Sequence, residues 1–268
     1  MEKLPNNITK LSKLQTLKLF CCYSLEELPK DFRKLHQLKH LDMEGCLSLT
    51  LMPQQMSELT SLQTLSAFVA NKNDPMGGLE ELLKLNELRR HLEILYLDRV
   101  KLFDESKINE LLEGRQIRVQ DLTLRWDPKI GQGESEHHLL PYCLMSHFEL
   151  QVLILVGYRG PDLSSWFNST SIQFEHLVKL SLQDCQCKYI SQEDALPRQL
   201  KTLELIRLDS LECVAQNCDK DAAFYKTLMD LTVSDCPKLN SWWQEEKDVS
   251  DSHSSPRFQN YMSITALS

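Results

Sequence analysis

An α/β solenoid, a curved parallel β-sheet with helical turns and loops on its convex side, is the fold class this sequence predicts. Two observations carry it. The stretch Leu14-x-x-Leu17-x-Leu19-x-x-Cys22-x-x-Leu25-x-x-Leu28-Pro29 recurs as Leu38-x-x-Leu41-x-Met43-x-x-Cys46-x-x-Leu49-x-x-Met52-Pro53, every marked position advancing by 24 residues. The first part of that pattern then returns with starts at Leu62, Leu92, Val119, Leu150, Leu177, Leu200 and Leu228. The spacing has a physical reading: strand side chains alternate, so Leu17 and Leu19 share one face, and Leu25 and Leu28 on the return leg point into the same interior. One unit cannot bury so many leucines alone; stacked neighbours bury them together.

A fixed period of this length with this consensus is the leucine-rich-repeat pattern. Nine strands at about 4.8 Å apart give an inner arc of roughly 40 Å. The steps between starts are 24, 24, 30, 27, 31, 27, 23 and 28 residues. The insertions are expected in the outer return legs, the longest at 127–141 and mobile. Leu79, Leu82, Leu83 and Leu85 carry a short helical pattern behind the turn-rich stretch 71–78, and Ile108, Leu111 and Leu112 carry another, ending at Gly114. Residues 1–243 are expected to form the repeat domain. The charged, weakly apolar segment 244–268 is expected to be a disordered tail. Leu4-Pro5 falls one step before Leu28-Pro29, so the chain is expected to open inside a unit, as a fragment or truncated relative, and to be aggregation-prone without upstream sequence.

Composition narrows the function. The 268 residues are 42% hydrophobic and 25% charged, as in ordinary globular proteins. The net charge of −8 makes a nucleic-acid backbone an unsuitable main partner. The first residues lack an apolar leader, and no apolar run is long enough to cross a bilayer. A cytoplasmic location is the expectation, and no membrane partner. The nine cysteines fit a reducing compartment, because Cys22, Cys46, Cys185 and Cys236 all fall at the bend after a strand, stacked rather than paired. Such bends usually hold Asn, and a thiol is a weaker donor. Asn168-Ser169-Thr170 matches a glycosylation pattern, but no secretory signal supports a glycan.

Chemistry-bearing motifs are few. Cys185-x-Cys187, Cys213 with Cys218, and His137-His138 lack zinc-ligand spacing, so no metal is expected. No nucleophile elbow occurs, and the cysteines have repeat-position explanations; an enzyme is not expected, nor any cofactor. The residues between the inward leucines point to the concave face. Lys18, Phe20, Asp42, Glu44, Tyr96, Arg99, Arg125 and Trp126 are the candidate protein-contacting residues, since aromatic and arginine side chains dominate interface energetics. Ser66, Phe68, Asp98, Thr123, Ser181, Gln183, Glu204, Ile206, Thr232 and Ser234 complete that face.

The Leu-Pro steps followed by Ile8-Thr9-Lys10-Leu11 and Phe32-Arg33-Lys34-Leu35 resemble the repeat region of plant intracellular immune receptors. Cys236-Pro237-Lys238-Leu239 with Trp242-Trp243 resembles the closing repeats of their coiled-coil class, the disease-resistance proteins with a nucleotide-binding module. Gly157-Tyr158-Arg159-Gly160-Pro161 with Ser165-Trp166-Phe167 is similar to another recurring piece. The resemblance covers roughly residues 1–243. It implies protein recognition in innate immunity: binding a pathogen effector or a host guard target, or holding the receptor's switch domain inactive. This chain carries no phosphate-binding loop, so nucleotide binding does not carry over. The rival readings are the substrate-recognition solenoid of an F-box ubiquitin ligase, which also uses bend cysteines, and a general interaction scaffold.

Overall fold

The computed structural model describes residues 2–74, 78–100, 118–127, 149–167, 174–192, 196–216 and 226–244. The helix expected around 108–112, most of the 127–141 insertion, the Asn168 sequon, His137-His138, Cys218 and the tail beyond Gln244 lie outside them. The chain divides into two compact units, residues 1–149 and 150–268.

In the first unit, β1 (Thr16–Lys18), β2 (His40–Asp42) and β3 (Thr64–Leu65) form a parallel sheet in that order. Leu17 pairs with Leu41, and Leu41 with Leu65, the register the 24-residue step requires. On the return legs, short 3-10 turns at Asn6–Lys10, Phe32–Lys34 and Met56–Glu58 follow the Leu-Pro or Met-Pro corner. Phe32, Leu35, Met56 and Leu59 are buried there. The isolated bridges Lys3–Glu27 and Glu27–Leu51 tie successive return legs together.

The strands β4 (Ala67–Val69), β5 (Arg89–Leu95) and β6 (Arg118–Arg125) are also parallel. Two expectations are corrected here. Phe68 was placed on the exposed concave face, yet it is buried, as are Ala67, Val69 and Ala70. The pleat changes phase at Ser66, whose hydroxyl accepts the Met43 backbone N–H at 2.6 Å. Leu65 faces inward with Leu41, while Phe68 faces inward with Ile94.

The second correction concerns the unit read as starting at Leu92. Its start is Leu88, whose N–H bonds the Leu85 carbonyl as those of Leu14, Leu38 and Leu62 bond Leu11, Leu35 and Leu59. The inward pair is Leu92 and Ile94, facing Leu122 and Leu124. One residue has been added before the strand core. Arg90 takes a left-handed φ of 70°, and the pairing slips between Arg90 and His91. The α-helix α1 (Leu79–Leu83) forms where the leucine pattern requires it and buries Leu79, Leu82 and Leu83.

The second unit holds β7 (Val152–Val156), β8 (Lys179–Gln183), β9 (Tyr189–Gln192), β10 (Thr202–Ile206), β11 (Cys213–Gln216), β12 (Asp230–Ser234) and β13 (Ser241–Gln244). Strands β7, β8, β10 and β12 run parallel in that order, with Leu153, Leu180, Leu203 and Leu231 in one row. Strands β9, β11 and β13 form a second parallel sheet on the return legs, where helical turns and loops were expected. Ile190 and Val214 are fully buried in that second sheet. These short legs carry β-branched or aromatic residues, Tyr189 and Ile190, Val214, and Trp242 and Trp243, which favour pairing over coiling. A helix, α2 (Ser164–Phe167), buries Trp166 between β7 and β8 in the chain.

Among the described residues there are about six solenoid turns against nine expected repeats, the class being as expected. A full turn needs a strand and its return leg, and the legs at 101–117, 128–148 and beyond 244 fall outside the described residues.

Candidate protein-binding surface

Seven strands, β1, β2, β5, β7, β8, β10 and β12, end in the same way. One residue in the left-handed region follows the strand, and a bend residue turning inward comes next. Cys21, Gly45, Tyr96, Gly157, Asp184, Arg207 and Asp235 all have φ between 52° and 78°. The residues after them are Cys22, Cys46, Leu97, Tyr158, Cys185, Leu208 and Cys236. The thiols at the bend perform the task expected of an amide. Cys46 Sγ donates to the Leu19 carbonyl at 3.2 Å, Cys185 Sγ to Leu155 at 3.5 Å, and Cys236 Sγ to Leu205 at 3.6 Å. Each bond reaches back to the preceding strand. Burial raises the Cys46, Cys185 and Cys236 thiols above their usual range, so they stay protonated donors.

The bend sets the exposed surface of the first unit. Lys18 and Asp42 are partners in adjacent strands, with Phe20 and Glu44 two residues further on. Phe20 is 58% exposed, and Lys18 and Glu44 are exposed as well. Asp42 is half-buried, its carboxylate accepting the Glu44 backbone N–H at 3.1 Å. Directly after the bend cysteines come Tyr23, 58% exposed, and Leu47, 72% exposed. They are 24 residues apart and so occupy the same place in consecutive turns. Phe20, Tyr23 and Leu47 therefore line one end of β1 and β2 with apolar surface, beside three charged side chains. Sequence reasoning found Phe20 but passed over Tyr23 and Leu47. The signal was available: both are large apolar residues at a position the repeat leaves outside.

The other four candidates are engaged inside the first unit. Tyr96 is the left-handed residue after β5, not a concave strand residue, because that strand begins earlier than expected. The Arg99 guanidinium lies 3.8 Å from its ring centroid and donates to the carbonyls of Thr50 at 2.7 Å and Ala70 at 3.2 Å. Arg99 thus staples two earlier return segments to the turn after β5. Arg125 pairs with Glu93 at 2.9 Å across β5 and β6. Trp126, expected on the surface, is buried at 6% exposure. Thr123 is also buried.

In the second unit the open face of the main sheet is largely neutralised. Lys179 meets Glu204 at 2.7 Å, and Arg207 clasps Asp184 through two 2.7 Å contacts. Ser181, expected to be exposed, is fully buried. The Gly157–Pro161 motif is a packing device. Tyr158 turns inward, its hydroxyl donating to the Asp162 carbonyl at 3.2 Å and its ring edge-on to Trp166 at 4.9 Å. Gly160 lies under that ring, and a Cβ there would collide with Tyr158. Burial pushes the Cys187 thiol up to about 12 and Cys213 to about 11. Among the described residues no group of three or more His, Cys, Asp or Glu side chains is placed to hold a metal. No described helix is long and apolar enough to cross a membrane.

Repeated parallel strands, inward leucines and a hydrogen-bonded bend define a leucine-rich-repeat solenoid, an architecture of protein-interaction modules. Residues 79–211, just under half of the chain, match the family model described as R13L1/DRL21 LRRs. Among solved structures, the chain is similar to a leucine-rich-repeat protein of Leptospira interrogans at 17% identity and a TM-score of 0.41, over 91% of this chain and 64% of that one. It is similar to the plant peptide hormone receptor RGFR1, solved in complex with RGF2, at 15% identity and a TM-score of 0.32, over 89% and 40% of the two chains. The chain thus spans less than two thirds of the length of either. No curated protein matches it.

Proposed function

We propose that this chain is a protein-recognition module of plant innate immunity, acting in the cytoplasm as the repeat region of a resistance-type receptor. Its partner is a pathogen effector, a host guard target or the receptor's own switch domain. The match of residues 79–211 to the R13L1/DRL21 repeats supports the receptor type. The observation that carries partner contact is the cluster of Phe20, Tyr23 and Leu47 beside Lys18, Asp42 and Glu44 on the first two turns. Folding leaves these large apolar side chains in water, whereas Arg99, Arg125 and Trp126 are consumed by internal contacts. Aromatic residues that stay exposed beside charges have the composition of an interface centre.

The test is binding of the purified chain to panels of effectors and receptor switch domains, followed by Phe20→Ala and Leu47→Asp. A hot-spot loss of about 2 kcal/mol corresponds to more than a tenfold rise in Kd, with the thermal midpoint unchanged. Binding that survives both substitutions would place the contact elsewhere, and failure against every panel would remove the immune reading.

A further inference from the structure

The bend cysteines of the first unit sit in consecutive turns, and those of the second do not. Cys22 and Cys46 are 24 residues apart, on strands held in step by the Leu17–Leu41 pairing. The two chains stay in step through the bend. The Cys21 N–H donates to the Glu44 carbonyl at 2.8 Å, and a Cβ built on Gly45 would lie 3.2 Å from the Cys21 Cα. Neighbouring strands are about 4.8 Å apart, inside the roughly 4.4–6.8 Å between Cα atoms that a disulfide spans. Cys185 and Cys236 are separated by the turn that carries Leu208. Two strand spacings make about 9.6 Å, beyond that reach. Cys21 faces Gly45 across the ladder and so has no thiol opposite it. Access is asymmetric as well: Cys22 is half-buried, while Cys46 is buried with its sulfur against the Leu19 carbonyl of the first turn.

We propose that Cys22 and Cys46 form an oxidation site at which a small-molecule disulfide, of the glutathione class, installs a bridge between the first two turns. The Cys22 thiolate attacks one sulfur of the oxidant, forming a mixed disulfide and expelling one small thiol. The Cys46 thiol then gives up its proton and its bond to the Leu19 carbonyl as its sulfur attacks the Cys22 sulfur, expelling the second small thiol. Two electrons pass from the protein to the oxidant, and each expelled thiolate takes up one of the two protons the cysteines release. Tyr23 and Leu47 directly follow the two cysteines, so the bridge pins two residues of the exposed apolar cluster to each other. The site stands on the repeat geometry and does not depend on the partner reading.

The experiment treats the full chain with oxidised glutathione and maps its tryptic peptides without reduction. The expected product joins the peptide 19–30 to the peptide 40–72, lacks two hydrogen atoms, and separates on reduction. Fragment ions place the link at Cys22, a measurement that needs no variant. Cys22→Ser abolishes the joined peptide and Cys21→Ser keeps it, with circular dichroism confirming that both fold. Absence of the joined peptide from the wild-type chain, a link at Cys21, or a Cys185–Cys236 link would each overturn the proposal.

Discussion

Replacing Gly160 by alanine tests whether the Gly157–Pro161 segment is a self-packed device. The new methyl would sit inside the volume of the Tyr158 ring and hydroxyl, with the ring Cε1 2.7 Å away. The backbone is the fixed partner here and the ring must yield, yet the ring is held by its edge contact with Trp166 and its bond to the Asp162 carbonyl. Moving it forfeits one hydrogen bond of about 1 kcal/mol and adds overpacking of about 1–3 kcal/mol. The sum is about 2–4 kcal/mol, or roughly 4–16 °C in the thermal midpoint for a chain of this size. Thermal unfolding followed by circular dichroism measures it. The decisive comparison is a double-mutant cycle with Tyr158→Leu, which is itself destabilising. Once the ring is gone, Gly160→Ala should cost less than about 0.5 kcal/mol, because the two sites are directly coupled. A small effect of Gly160→Ala alone, or an equal effect with and without the ring, would refute the packing account.

Three further outcomes are expected. At the left-handed position after the strand, Gly45→Ala should destabilise and Cys21→Gly should stabilise, each by about 1 kcal/mol in urea titrations, because only glycine adopts positive φ without strain. Arg99→Ala should cost about 2–3 kcal/mol in the same assay, since two charge-assisted bonds to Thr50 and Ala70 and the contact with Tyr96 are lost together. Alkaline pH should weaken the fold. Cys213 and Cys187 have folded pKa values raised to about 11 and about 12, against an ordinary value near 9. Their contribution is intact below pH 9 and falls as pH rises toward those values, by about 1.4 kcal/mol per pH unit for Cys187 and by less for Cys213. The urea midpoint measured between pH 8 and 10.5 should therefore decline, and Cys213→Ala should flatten the decline.

The legible part of the fold was whatever the leucine spacing constrains. Leu17–Leu41–Leu65 and Leu153–Leu180–Leu203–Leu231 stand in the rows the repeat requires. Misreading arose where the chain changes phase. Leu92-x-x-Leu95-x-Leu97 satisfies the consensus, whereas the true frame from Leu88 breaks it by the one residue that the left-handed Arg90 absorbs. Ser66 produces a second phase change that brings Phe68 into the core. Side-chain fate was the least legible. Alternation says that Lys18 and Arg125 leave the core, but not that Arg125 meets Glu93 while Lys18 has no ion pair among the described residues. Trp126 and Ser181 are buried, which a pattern within one repeat does not encode. The return-leg sheet of β9, β11 and β13 was hidden for the same reason, its partners lying 24 and 28 residues apart.

The left-handed residue that closes seven of the strands has a bearing on how such a chain can change over generations. It confines the invariant part of a turn to a cassette of about half a dozen residues, from the strand to the inward bend. Everything after the bend can lengthen, as the repeat steps of 23 to 31 residues do, without rotating the next strand's leucines out of the core. A residue added before the strand core is absorbed in the backbone, as at the left-handed Arg90, whereas the return legs differ in length from turn to turn. Diversification can therefore proceed on the outer legs and on the side chains flanking the leucines while the scaffold is inherited unchanged.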